Sequence, residues 1–370
     1  MEMTQMHAHL DLAEIAIVPL FELRYCMHAI SSSNLKSAVV IEVGSRYLKC
    51  GFSQEKEPRC IAEWKIAKYT PNPHQIGQLL KYVDSFLTSL FYDQLNIRPI
   101  QRHFVVCEDL LAPQMLREAL MLTLLKTLQA SSITFVPTLL TSLYATSYHT
   151  ALIVDVGWYE TRLLPIYKGS PLLHLYTTIP GGTQSSCLQL STQLGIPRAK
   201  AEEILTKCCF CRPLIEPIEA VDAEFQDHLE VPGKLRWQVL EHYFTSEREH
   251  ESIAEAVAEI LSRAPIDLRK NLSRSILLIG GSSMLPGFEN RLRHEICCVV
   301  NEYATLMHLS EEIEMAKLWF PRNVLGWIGG SIFAATHSRK HSITLDEYTA
   351  GRRLTDWLSV SSSYDSIQTA

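Results

Sequence analysis

A buried, β-branched strand that runs into a glycine turn and returns as a second strand occurs twice in this chain. That repetition constrains the fold more than any other feature. Ala38 to Glu42 (AVVIE) leads to Gly44, and Tyr47 to Phe52 (YLKCGF) alternates as a hairpin partner would. Ala151 to Val156 (ALIVDV) leads to Gly157, and Thr161 to Tyr167 (TRLLPIY) pairs back. Each copy carries an acidic residue just before its glycine, Glu42 in the first and Asp155 in the second. Such a duplication predicts an α/β chain of two similar lobes, with two glycine turns facing each other across a cleft.

Other segments fill in around these hairpins. Apolar residues from Gln75 to Tyr92 recur at helical spacing, Arg102 to Cys107 reads as a short buried strand, and Pro113 to Leu128 as a second helix with proline at its start. Ser191 to Glu259 is polar and poorly patterned. Ser275 to Ile279 (SILLI) is a further buried strand that runs into GGSSMLPG at 280–287 and a helix from Phe288 to Val300. Trp327 to Ser331 opens an apolar helix, and the Ser-rich end reads as a loose tail over 358–370. The expected organisation is a first lobe over 36–148 joined by 329–357, and a second over 149–328 with a smaller inserted subdomain at about 181–260.

Composition adds exclusions. A chain of 370 residues is long enough for two packed lobes, and its net charge of −6 gives no electrostatic reason to expect direct nucleic-acid contact or an anionic membrane. His9 to Ile30 looks apolar, but Asp11, Glu14, Glu22 and Arg24 interrupt it below the roughly 18–20 residues needed to span a bilayer. No membrane insertion is expected, and residues 1–35 read as an extension outside the fold. The ten cysteines form no zinc pattern, and the run Cys208-Cys209-Phe210-Cys211 reads as core thiols because adjacent side chains diverge.

A hairpin turn containing glycine lets backbone N–H groups point at an anion with no Cβ in the way. Two such turns suit the β- and γ-phosphates of a nucleotide, and an acid at each strand end suits the water shell of Mg²⁺. The pair Gly280-Gly281 at a helix start suits close approach to phosphate or ribose. These features single out Glu42, Gly44, Asp155, Gly157, Gly280 and Gly281 as candidate nucleotide-binding residues. The protein itself supplies no metal cluster; Mg²⁺ would arrive with the nucleotide, near Asp155.

Taken in order, EVGSRYLKCGF (42–52), IVDVG (153–157), PIDLRKNL with IGGSSMLPG (265–287) and GWIGGSIFAA (326–335) resemble the actin family, within the superfamily of actin, sugar kinases and heat-shock chaperone ATPases. The similarity runs from about residue 38 to 357. Within the family it is strongest to the pointed-end actin-related subunits of dynactin, through EPRCI (57–61), LPIYKGSPLL (164–173), PGG (180–182) and RAPIDLRKNL (263–272). The resemblance implies the actin-type two-lobed fold and ATP or ADP with Mg²⁺ as a ligand, and adds Ser45, Lys49, Ser282 and Met284 to the candidate nucleotide-binding residues.

Departures from the family pattern change what it implies. The first turn in actin reads Asp-x-Gly-Ser-Gly, whereas here Arg46 stands in place of the last glycine. Lys49 keeps the position of the phosphate-contacting lysine. In the second turn, Trp158 and Tyr159 replace an acidic and a small residue. The water-orienting glutamine aligns with Thr138, the histidine near it with Arg162, the adenosine-side Lys-Glu pair with Leu205-Thr206, and a further adenine-side lysine with Asn323. Without its water-orienting group the chain is expected to be no enzyme. Two possibilities stay open for the cleft: a nucleotide held without turnover as a structural ligand, or no nucleotide at all.

Actin also inserts a small subdomain with a DNase-binding-type loop after its first hairpin. Here Arg59 to Pro73 provides 15 residues before the next helix, enough only for a crossing. In a filament this rim docks into the next subunit, so its deletion implies a cap at a filament end. The partners so implied are the actin-like filament subunits of dynactin and other pointed-end subunits, with dynein indirectly, in a cytoplasmic, cytoskeletal setting. A nuclear actin-related subunit of a chromatin-remodelling complex is the alternative, disfavoured by the lack of basic tracts; an active phosphotransferase ranks last.

Overall fold

The structure, a computed structural model, describes residues 37–66, 76–214, 221–246, 251–337, 341–355 and Trp357. The extension expected over 1–35 and the tail over 358–370 lie outside the described residues. The chain divides into two compact units: one comprises residues up to His149, Lys168–Ser170 and the chain from Gly326 onward, and the other comprises Thr150–Tyr167 and Pro171–Leu325.

The first unit opens with β1 (Val39–Val43) and β2 (Tyr47–Phe52), an antiparallel hairpin whose inward residues Val39, Val40, Ile41, Leu48 and Cys50 are buried. β3 (Cys60–Glu63) then adds antiparallel to β2, so the segment expected only to cross over begins as a strand. Its four residues alternate between half-buried or buried and exposed, too short a pattern to separate from a loop by sequence. Residues 64–75 lead to α1 (Ile76–Ser89), whose Leu79, Val83 and Leu87 stripe faces the core. β4 (His103–Glu108) is buried throughout and lies parallel to β1. α2 (Gln114–Leu122) follows. Both helices end in π turns, at Leu90–Gln94 and Thr123–Thr127, where unbroken α-helix was expected.

β5 (Ser132–Pro137) pairs parallel with β4 and runs directly into α3 (Thr138–Tyr144). No element is assigned to these residues from the sequence. The sheet order is β3-β2-β1-β4-β5.

The second unit repeats the arrangement. β6 (Ala151–Val156) and β7 (Glu160–Tyr167) form its hairpin. A short β8 (Ser170–Pro171) and then β9 (Thr177–Pro180) follow, β9 pairing antiparallel with β7. α4 (Thr183–Leu194), α5 (Arg198–Cys208), the small hairpin β10 (Ala223–Phe225) and β11 (Leu229–Val231), and α6 (Gly233–Gln238) cover the region read as poorly patterned. α7 (Ile253–Arg263) starts on a capping box, in which the Ser252 side chain accepts from the Glu255 N–H and the Glu255 side chain from the Ser252 N–H. α8 (Ile266–Ser273) precedes β12 (Ile276–Ile279), parallel to β6, and α9 (Phe288–Glu302) completes the unit.

Thus β9-β7-β6-β12 reproduces the order and sense of β3-β2-β1-β4. The duplication seen in two hairpins extends to four strands of each sheet. One apolar core runs from Leu152 and Val154 through Cys187, Leu205, Cys209 and Cys211 to Val257 and Phe288. The segment expected as an inserted subdomain at about 181–260 shares this core with the sheet. The thiols expected there as core residues include Cys209 and Cys211, both buried, and burial pushes the Cys209 thiol up to about 12. The chain returns to the first unit as α10 (Leu325–Thr336) and a short α11 (Leu345–Thr349). No helix among the described residues is long and apolar enough to cross a membrane.

Candidate functional site

Each glycine turn is built the same way. Val43 pairs with Leu48 and Val156 with Thr161, so four residues close each hairpin, 44–47 and 157–160. In the first, the Gly44 N–H donates to the Tyr47 carbonyl at 3.1 Å; in the second, the Gly157 N–H donates to the Glu160 carbonyl at 3.0 Å. A Cβ on Gly44 would come within 2.7 Å of the Tyr47 oxygen, and one on Gly157 within 2.9 Å of the Glu160 oxygen. Glycine is therefore required by the turn itself, and its own N–H is already used inside it.

The acids ahead of the glycines are not bare. Glu42 lies opposite Lys49 and Asp155 opposite Arg162, each seven residues on and in the same cross-strand register. Both pairs are ion pairs, Lys49 Nζ donating to Glu42 Oε1 and Arg162 Nη2 to Asp155 Oδ2. Glu42 and Asp155 are buried, so each carboxylate is desolvated and held by one cation. The second oxygen of Glu42, Oε2, is buried with no hydrogen-bond partner among the described residues.

In the first unit, Ser45 is exposed at the turn, beside Arg46, which pairs with Glu63 of β3 at 2.6 Å. The support beneath comes from Trp64, just past β3. Its backbone N–H donates to the Arg46 carbonyl at 3.1 Å, and its indole Nε1–H to the Gly44 carbonyl at 2.8 Å. The ring is 1% exposed and packs on Phe86 of α1 with centroids 5.6 Å apart. Thr138, at the position of the water-orienting glutamine, is buried, and a Cβ on Gly326 would meet its methyl carbon at 2.5 Å. That position is packed against the start of α10.

In the second unit the support comes from α4 instead. The N–H groups of Gly182, Thr183 and Gln184 donate to the carbonyls of Tyr159, Gly157 and Trp158, at 3.0, 3.1 and 2.9 Å. The helix N-terminus thus spends its unpaired donors on the turn. Trp158 packs against the core of this unit, whereas Tyr159 is exposed. Leu205 on α5 is a core residue, and Thr206 returns its hydroxyl to the Glu202 and Glu203 carbonyls.

Gly280 and Gly281 play different parts. Gly280 has φ +97°, and a Cβ there would lie 2.3 Å from the Val156 oxygen and 2.8 Å from Asp155 Oδ1. It must be glycine for β6 and the 280s turn to meet. Gly281 is exposed, with open space where its Cβ would be. Ser282, counted among the site residues, does not present its hydroxyl: it is buried, 2.6 Å from the Thr183 hydroxyl, and accepts from the Tyr243 hydroxyl at 3.3 Å. Burial pushes the Tyr243 phenol up to about 12. Met284 is half exposed and lines a groove of about 510 Å³ with Trp319, Phe320, Pro321 and Arg322.

The second unit therefore brings Asp155, Gly157 and Gly280 together, with Arg162 added; the first brings Glu42, Gly44, Ser45 and Lys49 together. Trp64, Thr183 and the role of Arg162 were not found in the sequence. For Arg162 a signal was there, because a base seven residues after the acid faces it across a four-residue turn.

The model of the actin family matches residues 80–195 and 191–353. Actin-related protein 10 of Dictyostelium discoideum is 26% identical, over 85% of this chain and 86% of its own length. Actin-like protein 7A of Bos taurus is 26% identical over 81% of this chain and 78% of its own, and that of Homo sapiens 24% identical over 80% and 78%. A duplicated four-strand sheet, two equivalent glycine turns and a family match over most of the sequence lead to one conclusion: the chain belongs to the actin family.

Proposed function

We propose that this chain is a non-catalytic actin-related subunit that caps the pointed end of the actin-like filament in dynactin, and so supports dynein-driven transport on microtubules in the cytoplasm. The observation that carries it is the short stretch 64–75 between β3 and α1. A dozen or so residues cannot bury a core of their own, and Trp64 at their start is fastened under the first turn. A subunit lacking that rim can sit on a filament end without offering the next subunit its usual surface. The resemblance of EPRCI, LPIYKGSPLL and RAPIDLRKNL to pointed-end subunits supports the choice of filament, as does the similarity to Actin-related protein 10.

Lack of turnover fits the same role. A threonine methyl packed on Gly326 cannot orient an attacking water, and Trp158, where the second turn of actin carries an acid, packs against the core. A bound ATP or ADP would act as a structural ligand that stabilises the fold without turnover. Purification of the native complex tests the proposal. Dynactin subunits are expected with it; recovery with chromatin-remodelling subunits and none from dynactin would sink it. Phosphate release at an ordinary ATPase or kinase rate would overturn the non-catalytic part.

A further inference from the structure

β3 is the edge strand of the first unit's sheet, and it places one cysteine directly across from another. Cys60 lies opposite Cys50 in the antiparallel register of β2 and β3. Opposed side chains stand on the same face of a sheet, so both thiols point to one side. The Trp64 N–H donates to the Arg46 carbonyl, and stepping two residues at a time along the ladder from that pair reaches Cys50 and Cys60. Theirs is therefore a hydrogen-bonded pair, with Cα atoms about 5.5 Å apart. A disulfide most often spans a Cα separation of about 5.5–6 Å. No other two cysteines among the described residues stand opposite each other between strands.

The surroundings hold this pair in place. Between the strands, the Glu55 carboxylate accepts from the Phe52 N–H at 2.9 Å and from Arg59 Nε at 2.7 Å, which fixes the connecting loop. Both thiols are free, Cys50 fully buried and Cys60 half-buried. The Cys60 Sγ–H donates to the Gln94 side-chain oxygen at 2.9 Å. Cys60 is thus the thiol that a small oxidant reaches first, with Cys50 behind it. Burial raises both above the ordinary thiol value, so neither stands as a thiolate and the pair reacts slowly.

We propose that Cys50 and Cys60 close to a reversible disulfide under peroxide, a redox clamp between β2 and β3. Hydrogen peroxide oxidises Cys60 Sγ to the sulfenic acid: an S–O bond forms as the O–O bond breaks, and one water leaves. The Cys50 sulfur then attacks Cys60 Sγ, the S–O bond breaks, and the departing hydroxide takes the Cys50 proton as a second water. The two thiols lose two electrons, one peroxide gains them, and a dithiol returns the pair to its resting state. Closure gives up the bond from Cys60 to Gln94 in the π turn after α1. It also ties down the strand leading into Trp64, whose indole holds the Gly44 carbonyl, so the redox state reaches the first glycine turn.

The test treats the reduced full chain with hydrogen peroxide, alkylates the remaining thiols, and digests with trypsin without reduction. Cleavage after Lys49, Lys56, Arg59 and Lys65 separates CGFSQEK from CIAEWK, so the bridge appears as two linked peptides that dithiothreitol parts. This link is expected as the main disulfide of the folded chain. Its absence while the exposed Cys298 is oxidised, or a different main pairing, overturns the proposal. Cys60→Ser keeps a donor for Gln94 and should abolish the link, whereas Cys50→Ser should leave Cys60 as a sulfenic acid that dimedone traps. Dimedone trapping at Cys50 in Cys60→Ser, and none at Cys60 in Cys50→Ser, would overturn the order of attack. If a variant does not fold, the wild-type peptide map decides alone. Amide exchange in β2 and β3 of the wild type should slow about tenfold on oxidation; unchanged exchange there overturns the clamp.

Discussion

The two glycine turns share a backbone and differ in what holds them. Turn 44–47 is backed by one indole from the end of β3; turn 157–160 is backed by three backbone N–H groups at the start of α4. A repeat can thus keep its register, its turn length and its acid–base pair while its support is rebuilt from unrelated residues. Backbone geometry is shared because few solutions close a four-residue hairpin. The supporting layer is free to diverge because many groups can satisfy a carbonyl.

Removing each support separates the two cases. Trp64→Ala deletes a fully buried indole and leaves the Gly44 carbonyl unpaired, so a loss of about 3–5 kcal/mol is expected in chemical denaturation. Faster amide exchange should be confined to β1–β3; an equal rise across β6 and β7 would contradict separate supports. Gly280→Ala strikes the second turn through the backbone, with a positive φ and a contact of 2.3 Å to Val156, and should cost about 2–3 kcal/mol. Its neighbour is the control: Gly281→Ala meets nothing within 4 Å and should stay within about 0.5 kcal/mol.

Besides the acid at its turn, the first unit buries a second acid, Glu108. Glu108 at the end of β4 accepts from the Arg117 guanidinium at 2.8 Å and from the Trp357 indole at 2.7 Å. Burial nevertheless pushes its carboxyl from 4.5 up to about 7, outweighing Arg117 and Trp357, which lower it. The native state then holds this proton more tightly than the unfolded chain. Its contribution is full below about pH 4.5 and is lost as pH rises through about 7. Glu108→Gln should flatten that slope, worth on the order of 2 kcal/mol between those limits, in denaturation curves taken across pH. An unchanged slope would show that other groups set it. A small effect is expected at the outer face of the first turn: Arg46→Ala removes a partly exposed pair with Glu63 and should cost less than about 1 kcal/mol.

Strands fully buried on both faces were legible, because ALIVDV and SILLI leave little choice of structure. So were the two glycines, since a strand ending in Gly and returning predicts a turn. β3 and β5 were not, one too short to show a period and the other bracketed by serines and proline. Within the candidate site, residue identity was readable but side-chain direction was not. Ser282 and Gly281 are adjacent, yet one hydroxyl points to Tyr243 in the core while the other position is open. Direction is set by packing partners such as Thr183, distant by a hundred residues or so in the chain.

Trp64 has an optical consequence. It is sealed from solvent with its N–H occupied, as are Trp327 and Trp357, whereas Trp319 is 83% exposed. Acrylamide should therefore quench Trp319 readily and leave Trp64 emitting at short wavelength. Because the Trp64 indole is bonded to Gly44, anything that shifts the first turn should alter its share of the protected emission, a share read by comparison with Trp64→Phe.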